Sequence, residues 1–268
     1  MKLLYSDESN LQPRNGDFFV YGGLSIPDSK ALWLSNKIDE IRHNAEIPND
    51  FILKFNPGPA GMSHSDFIRI KQEVISASIE ADCALHISVI LHDIATSVDE
   101  ARRNEINRIC YHFNCMLKRE GETGLVLIDR FEDSQIDAHL REKFSIGLTG
   151  MPYSPYLKLD RILGFHYSAI GQSNFPSIMD ILIGTLRFCI NDHTRHPENP
   201  SSSSKVMLEE LSPLFPRDLH DKIPELYFFL SPKNIKVPQF KERYESLCMF
   251  LLDNGMCPSQ HITDQREY

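Results

Sequence analysis

The segment GLVLID, residues 124–129, is apolar almost without interruption and ends on an acid. A run this short and this continuous predicts a strand covered on both faces, because a strand with one wet face alternates apolar and polar residues. A long helical stretch, Val98 to Arg119, precedes it, and Gly121 and Gly124 end that helix. Strands alternating with helices predict a layered α/β fold around a mixed sheet.

The same logic extends along the chain. KLLYSD predicts a first strand and DFFVYGGLSI its antiparallel partner, joined by a polar loop with Asn15-Gly16 as turn signal. Helices are expected over 28–44 and from about Ser65 to Glu80, with FILKF (51–55) as a short strand between them. ALHISVILHD alternates as a strand, residues 160–171 contain another, and Pro176 sits near the start of a helix reaching about Asn191.

The stretch HTRHPENPSSSSK reads by composition as a linker. It divides the expected organisation into a core over 1–193, a linker over 194–204 and a C-terminal α+β appendage over 205–268, with ELYFFL as strand and PQFKERYESLCMFLLDN as helix.

The chain has 268 residues, 41% of them apolar, which suffices for one substantial core. A formal charge of −9 argues against a protein that coats nucleic acid non-specifically. The six cysteines show no CxxC spacing, which suits buried free thiols in a reducing cytoplasm. No stretch offers the ~20 uninterrupted apolar residues of a membrane span, and the N-terminus does not resemble a signal peptide.

Three acids end or interrupt apolar runs: Asp7 after LLYS, Asp129 after LVLI, and Asp180 within SIMDILIG. Carboxylates are costly to bury, so their recurrence in such places suggests a shared cation. Taken singly, Asp7 and Glu8 are explained by a turn and Asp129 by a helix cap. Asp180 lies beyond its helix's first turn, on a small polar face with Ser177, Gly184, Arg187 and Asn191, where a structural pairing with Arg187 or a solvated face is the alternative to a ligand role. Asp7 and Glu8 cannot both face one ion from a regular strand, so Asp7 is the favoured ligand and Glu8 the weaker candidate.

Other candidates carry less weight. Lys54 is placed to meet phosphate or to be a strand-edge lysine; His193-x-x-His196 has metal-ligand spacing without a companion; His92-Asp93 ends a strand. Arg102, Arg103 and Arg108, with Lys233, Lys236, Lys241 and Arg243, form either phosphate-binding patches or solvated helix faces.

DESN (7–10), VYGGLSIP (20–27), LVLIDR (125–130) and MDILIG (179–184) together resemble the motifs of the domain of unknown function 3800 family, a largely prokaryotic group similar in fold to the ribonuclease H superfamily. Asn10 stands where that family has glycine, and Ser177-Ile178-Met179-Asp180 where it has Gln-x-Ala-Asp, which removes a Gln contact. The resemblance implies a ribonuclease H-like core in which Asp7, Asp129 and Asp180 bind one or two Mg²⁺ or Mn²⁺ ions. It also implies hydrolysis of a nucleic acid, RNA or DNA, with Glu8 as an accessory acid. A protein partner is expected to meet the C-terminal appendage. The alternative expectation is a non-catalytic interaction protein on the same fold.

Overall fold

The computed structural model describes residues 1–264 apart from Pro13, Glu132, Ser134, Pro152 and Tyr153. Strands β1 (Lys2–Ser9), β2 (Phe18–Pro27) and β3 (Ala84–Leu91) form an antiparallel meander. Strands β4 (Gly124–Asp129) and β7 (Ile162–Ser168) extend it in parallel beyond β1, and β8 (Phe228–Ser231) pairs parallel with β3. The sheet order is β7-β4-β1-β2-β3-β8. A separate two-stranded sheet pairs β5 (Leu148–Met151) antiparallel with β6 (Ser154–Leu157).

Helices cover both faces of the six-stranded sheet. Helices α1 (Asp28–Asn44), α2 (His64–Glu80), α5 (Asn174–Arg195), α6 (Ser202–Leu211) and α7 (Pro238–Asp253) share one core, and α3 (Val98–Glu120) and α4 (Ile136–Ser145) the other. β2 shows the cause directly. Phe18, Val20, Leu24 and Ile26 enter the first core while Phe19 and Tyr21 enter the second, as two-residue alternation requires. Local signals set the helix ends: Ser63 and Ser97 accept the backbone N–H of Asp66 and Glu100, and Gly121 closes α3 at φ +70°.

Three expectations are corrected. The serine run read as linker opens α6: Ser201 accepts the Ser204 N–H, and Asp192 accepts both the Ser201 N–H and the Ser204 hydroxyl. Serine is common in loops for the same reason that it caps helices, and composition does not separate the two. The C-terminal segment is not an appendage. Phe228, Leu230, Tyr244 and Leu247 lie in the first core, and the Tyr244 hydroxyl accepts the Leu91 N–H while donating to the Ser231 carbonyl. FILKF is not a strand, for a reason that belongs to the site below. Among the described residues no helix is long and apolar enough to cross a membrane.

Candidate active site

Parallel pairing of β1 with β4 sets Ser6 beside Ile128 and so brings Asp7 level with Asp129 at the strand ends. Asp7 shares its face with Tyr5, and Asp129 with Leu127; that face meets α5. Asp180, in the second turn of α5, completes a cavity of about 170 Å³ that Asp7, Glu8, Asp129, Asp180 and Lys54 line together. The three principal acids and Glu8 are thus in one place, with one lysine among them.

Close approach of α5 depends on two glycines. A Cβ on Gly22, opposite Asp7 in the register, would lie 3.0 Å from Met179 Cε and 2.6 Å from Ile87 Cδ1. A Cβ on Gly184 would lie 2.5 Å from Phe55 Cβ and Cγ. The 51–55 segment therefore presses against α5, and the Phe55 N–H donates to Asp180 Oδ2 at 2.6 Å. A backbone donor used in this way is not available to a sheet ladder, which is why FILKF runs as irregular chain. It also delivers Lys54 to the cavity.

Gly184→Ala is accordingly expected to cost about 1–3 kcal/mol, since the methyl must displace the Phe55 ring or the chain that carries it. Chemical denaturation checks this, and an unchanged midpoint would mean that the 51–55 segment yields freely.

The electrostatics follow from crowding. Desolvation raises the Asp7 carboxyl well above its ordinary value, and Glu8, Asp129 and Asp180 raise it further, against one backbone donor, the Glu8 N–H at 2.7 Å. Asp129 is also raised, chiefly by desolvation and then by Asp180, while its backbone bond to Arg130 and the Lys54 charge oppose the shift. Glu8 points to the α3 side, where Arg102 Nη2 meets Oε1 at 2.9 Å with both side chains largely buried. Desolvation still leaves Glu8 raised. Its charge already has a partner, so Glu8 borders the cavity as an anchored acid.

The remaining candidates separate. Arg102, Arg103 and Arg108 are engaged by Glu8, Asp133 and Glu105 and do not form a free phosphate patch. Lys233 pairs with Glu225 at 3.0 Å, far from the acids in the chain. His193 is buried, stacked on Phe250 and bonded to Ser246, while His196 is exposed beside Asp192; the two do not combine. His92 Nε2 bonds the Asn10 carbonyl at 2.8 Å and so buttresses the end of β1. Asn10 adopts φ +66°, the left-handed conformation asparagine tolerates, and its amide donates to the Phe18 carbonyl and Asn191 Oδ1.

Sequence reasoning passed over Lys71. It lies 3.9 Å above the Phe55 ring centroid and 4.6 Å from that of Phe67, and desolvation lowers its pKa to about 8. Arg187 approaches the same Phe55 ring at 5.5 Å, so two cations hold the segment that binds Asp180. A signal was present: Lys71 falls on the buried stripe of α2 with Phe67, Val74 and Ile75, where a lysine is out of place.

Among the described residues, no group of three or more His, Cys, Asp or Glu is arranged to hold a metal ion as it stands. The cavity gathers acids without fixing a ligand set. Compared with models of known families and with curated proteins, the chain finds no match in either.

Proposed function

We propose that the chain is a metal-dependent nuclease with a ribonuclease H-like core, of the kind the motif resemblance implies. The observation that carries this reading is the meeting of Asp7 and Asp129, from adjacent parallel strands, with Asp180, from the helix packed on them, around one cavity. The three-strand meander continued by parallel β4 and β7 supports the same architecture. Adjacent acids with raised pKa values are common at functional sites, because crowding unfavourable to the fold is retained where chemistry uses it.

The donor set fits a hard cation: the cavity offers carboxylates, and among the described residues no thiol or imidazole lines it. Asp7, Asp129 and Asp180 would hold Mg²⁺ or Mn²⁺. Such an ion supplies Lewis acidity and lowers the pKa of water for attack on a phosphodiester. The Phe55 N–H orients the Asp180 carboxylate, and Lys54 offers an ammonium to a phosphate oxygen.

One observation favours the alternative of a non-catalytic interaction module: the acids do not already form a ligand set. The test is cleavage of a panel of single-stranded and structured RNA and DNA with Mg²⁺ or Mn²⁺. Turnover is expected with at least one metal, none in chelator, and none for Asp129→Asn, whose amide keeps the shape but not the charge. A panel left intact with both metals would favour the interaction module.

A further inference from the structure

A second cavity, about 600 Å³, lies toward the far end of α5 and carries three arginines where the first carries acids. Arg14, Arg195 and Arg243 line it, opposed by Asp17 and Glu242. Two elements reach both cavities. The β1–β2 loop gives Leu11 to the acid cavity and Arg14 to the basic one, and α5 gives Asp180 to the first and Arg195 to the second. Fifteen residues of helix separate those two side chains, about 22 Å at 1.5 Å per residue.

The basic cavity is built rather than incidental. Buried Asp17 receives Arg195 Nη2 at 2.5 Å and so fixes its guanidinium. Arg243 rests on the backbone of Gly16, where φ is +87° and a Cβ would lie 2.5 Å from Nη1. Asp93 accepts the Gly16 N–H at 2.8 Å and faces Arg243 Nη1 at 3.6 Å, tying loop and arginine together. Arg14 has no acidic partner among the described residues, and a guanidinium at a cavity wall without one is suited to an incoming phosphate.

We infer that this cavity binds backbone phosphates of a nucleic-acid strand whose scissile part lies in the acid cavity, a proposal that deepens the nuclease reading and rests on it for the strand's path. With Glu8 paired to Arg102, three further carboxylates against one lysine repel a polyanion, so the strand needs anchorage elsewhere. The basic cavity supplies it along the same helix. At an axial rise of about 3.4 Å per nucleotide, 22 Å corresponds to roughly six nucleotides of a stacked strand.

The test is fluorescence anisotropy in chelator with labelled single-stranded DNA and RNA of about twelve nucleotides and with a trinucleotide. The wild type is compared with Arg14→Gln and the double variant Arg14→Gln/Arg243→Gln. The double variant is expected to bind the long strand about tenfold more weakly, with a salt slope shallower by about 0.7 for each phosphate contact removed, and to treat the trinucleotide like the wild type. Arg14→Gln, which breaks no ion pair, should show part of the effect without loss of stability. Unchanged affinity and slope in both variants would overturn the proposal. So would displacement of the strand by inorganic phosphate at equal molarity to unlabelled strand, which would mark a free-phosphate site. A wild type that binds through these arginines but cuts nothing sinks the nuclease reading and with it the strand's path, and leaves standing the binding of strand phosphates by this cavity. One that cuts while the variants bind normally does the reverse.

Discussion

Asp7→Asn is expected to leave the metal-free protein at least as stable as the parent at pH 8, while abolishing the gain in melting temperature that Mg²⁺ or Mn²⁺ gives the parent. Asp7 has a folded-state pKa raised well above that of an unfolded chain, first by desolvation and then by Glu8, Asp129 and Asp180. The folded state therefore holds the proton to higher pH than the unfolded state does. Stability is greatest below the unfolded value, near 4, and falls as pH rises through the raised folded value. Asparagine cannot ionise, so the variant lacks that decline, and its Oδ1 can still accept the Glu8 N–H.

In chelator, the parent should lose ground to the variant as pH rises from the unfolded value, near 4, through the raised folded value. Metal reverses the comparison. At about 100 times the dissociation constant, binding stabilises the parent by about 2.7 kcal/mol, or roughly 5–10 °C for a domain near this size. Turnover in the variant should fall by more than about 100-fold, the upper range seen even for residues that only support a ligand. A variant that is strongly destabilised in chelator, with a parent indifferent to both metals, would make Asp7 a structural acid.

The second large effect lies away from the cavity. Glu105 of α3 is almost wholly buried and accepts from the Ser88 hydroxyl of β3, the Ser231 hydroxyl of β8 at 2.9 Å and Arg108 Nε at 3.0 Å. One carboxylate thus clamps β8 onto β3. Glu105→Ala removes the acceptor for three donors and leaves a cavity, with an expected cost of about 3 kcal/mol, or a melting temperature lower by roughly 6–12 °C. Glu105→Gln should rescue only in part, because its amide nitrogen adds a donor where every neighbour already donates. Hydrogen exchange at Phe229 and Leu230 should accelerate more than at Leu4. Equal acceleration across the sheet, or a cost below about 1 kcal/mol, would show that apolar packing alone holds β8.

What was legible in the sequence was what local chemistry fixes. α1 begins at Asp28 and ends at Asn44, and α3 runs to Glu120 before Gly121, because periodicity and a left-handed glycine act over a few residues. The acids stood out because Asp7, Asp129 and Asp180 sit in apolar runs where a carboxylate needs a reason. Asn10, where the resembling motif has glycine, takes the left-handed conformation that asparagine tolerates.

Partners chosen across the fold were not legible. A serine cap and a serine linker have the same composition, and only the burial of Met207, Leu208 and Leu211 makes α6 a helix of the core. β8 occupies the sheet edge because β3 offers it a parallel partner and Glu105 a clamp, neither of which ELYFFL encodes.

By itself, then, the sequence determined the six strands of the main sheet, helices α1, α2, α3, α5 and α7 and the unusual acids, but not α4, α6 or the β5–β6 pair, since propensity, alternation and the cost of burying charge are properties of a residue and its near neighbours. Only the tertiary structure decided that Glu8 is spoken for by Arg102, that Phe55 gives its N–H to Asp180 instead of to a strand, and that arginines from residues 14, 195 and 243 share one cavity. Those pairings join residues as much as 229 positions apart, Arg14 and Arg243 being the widest. Distances of that kind are set by the packing of α5 and the loops against the sheet, a sum of many weak contacts that no single segment carries.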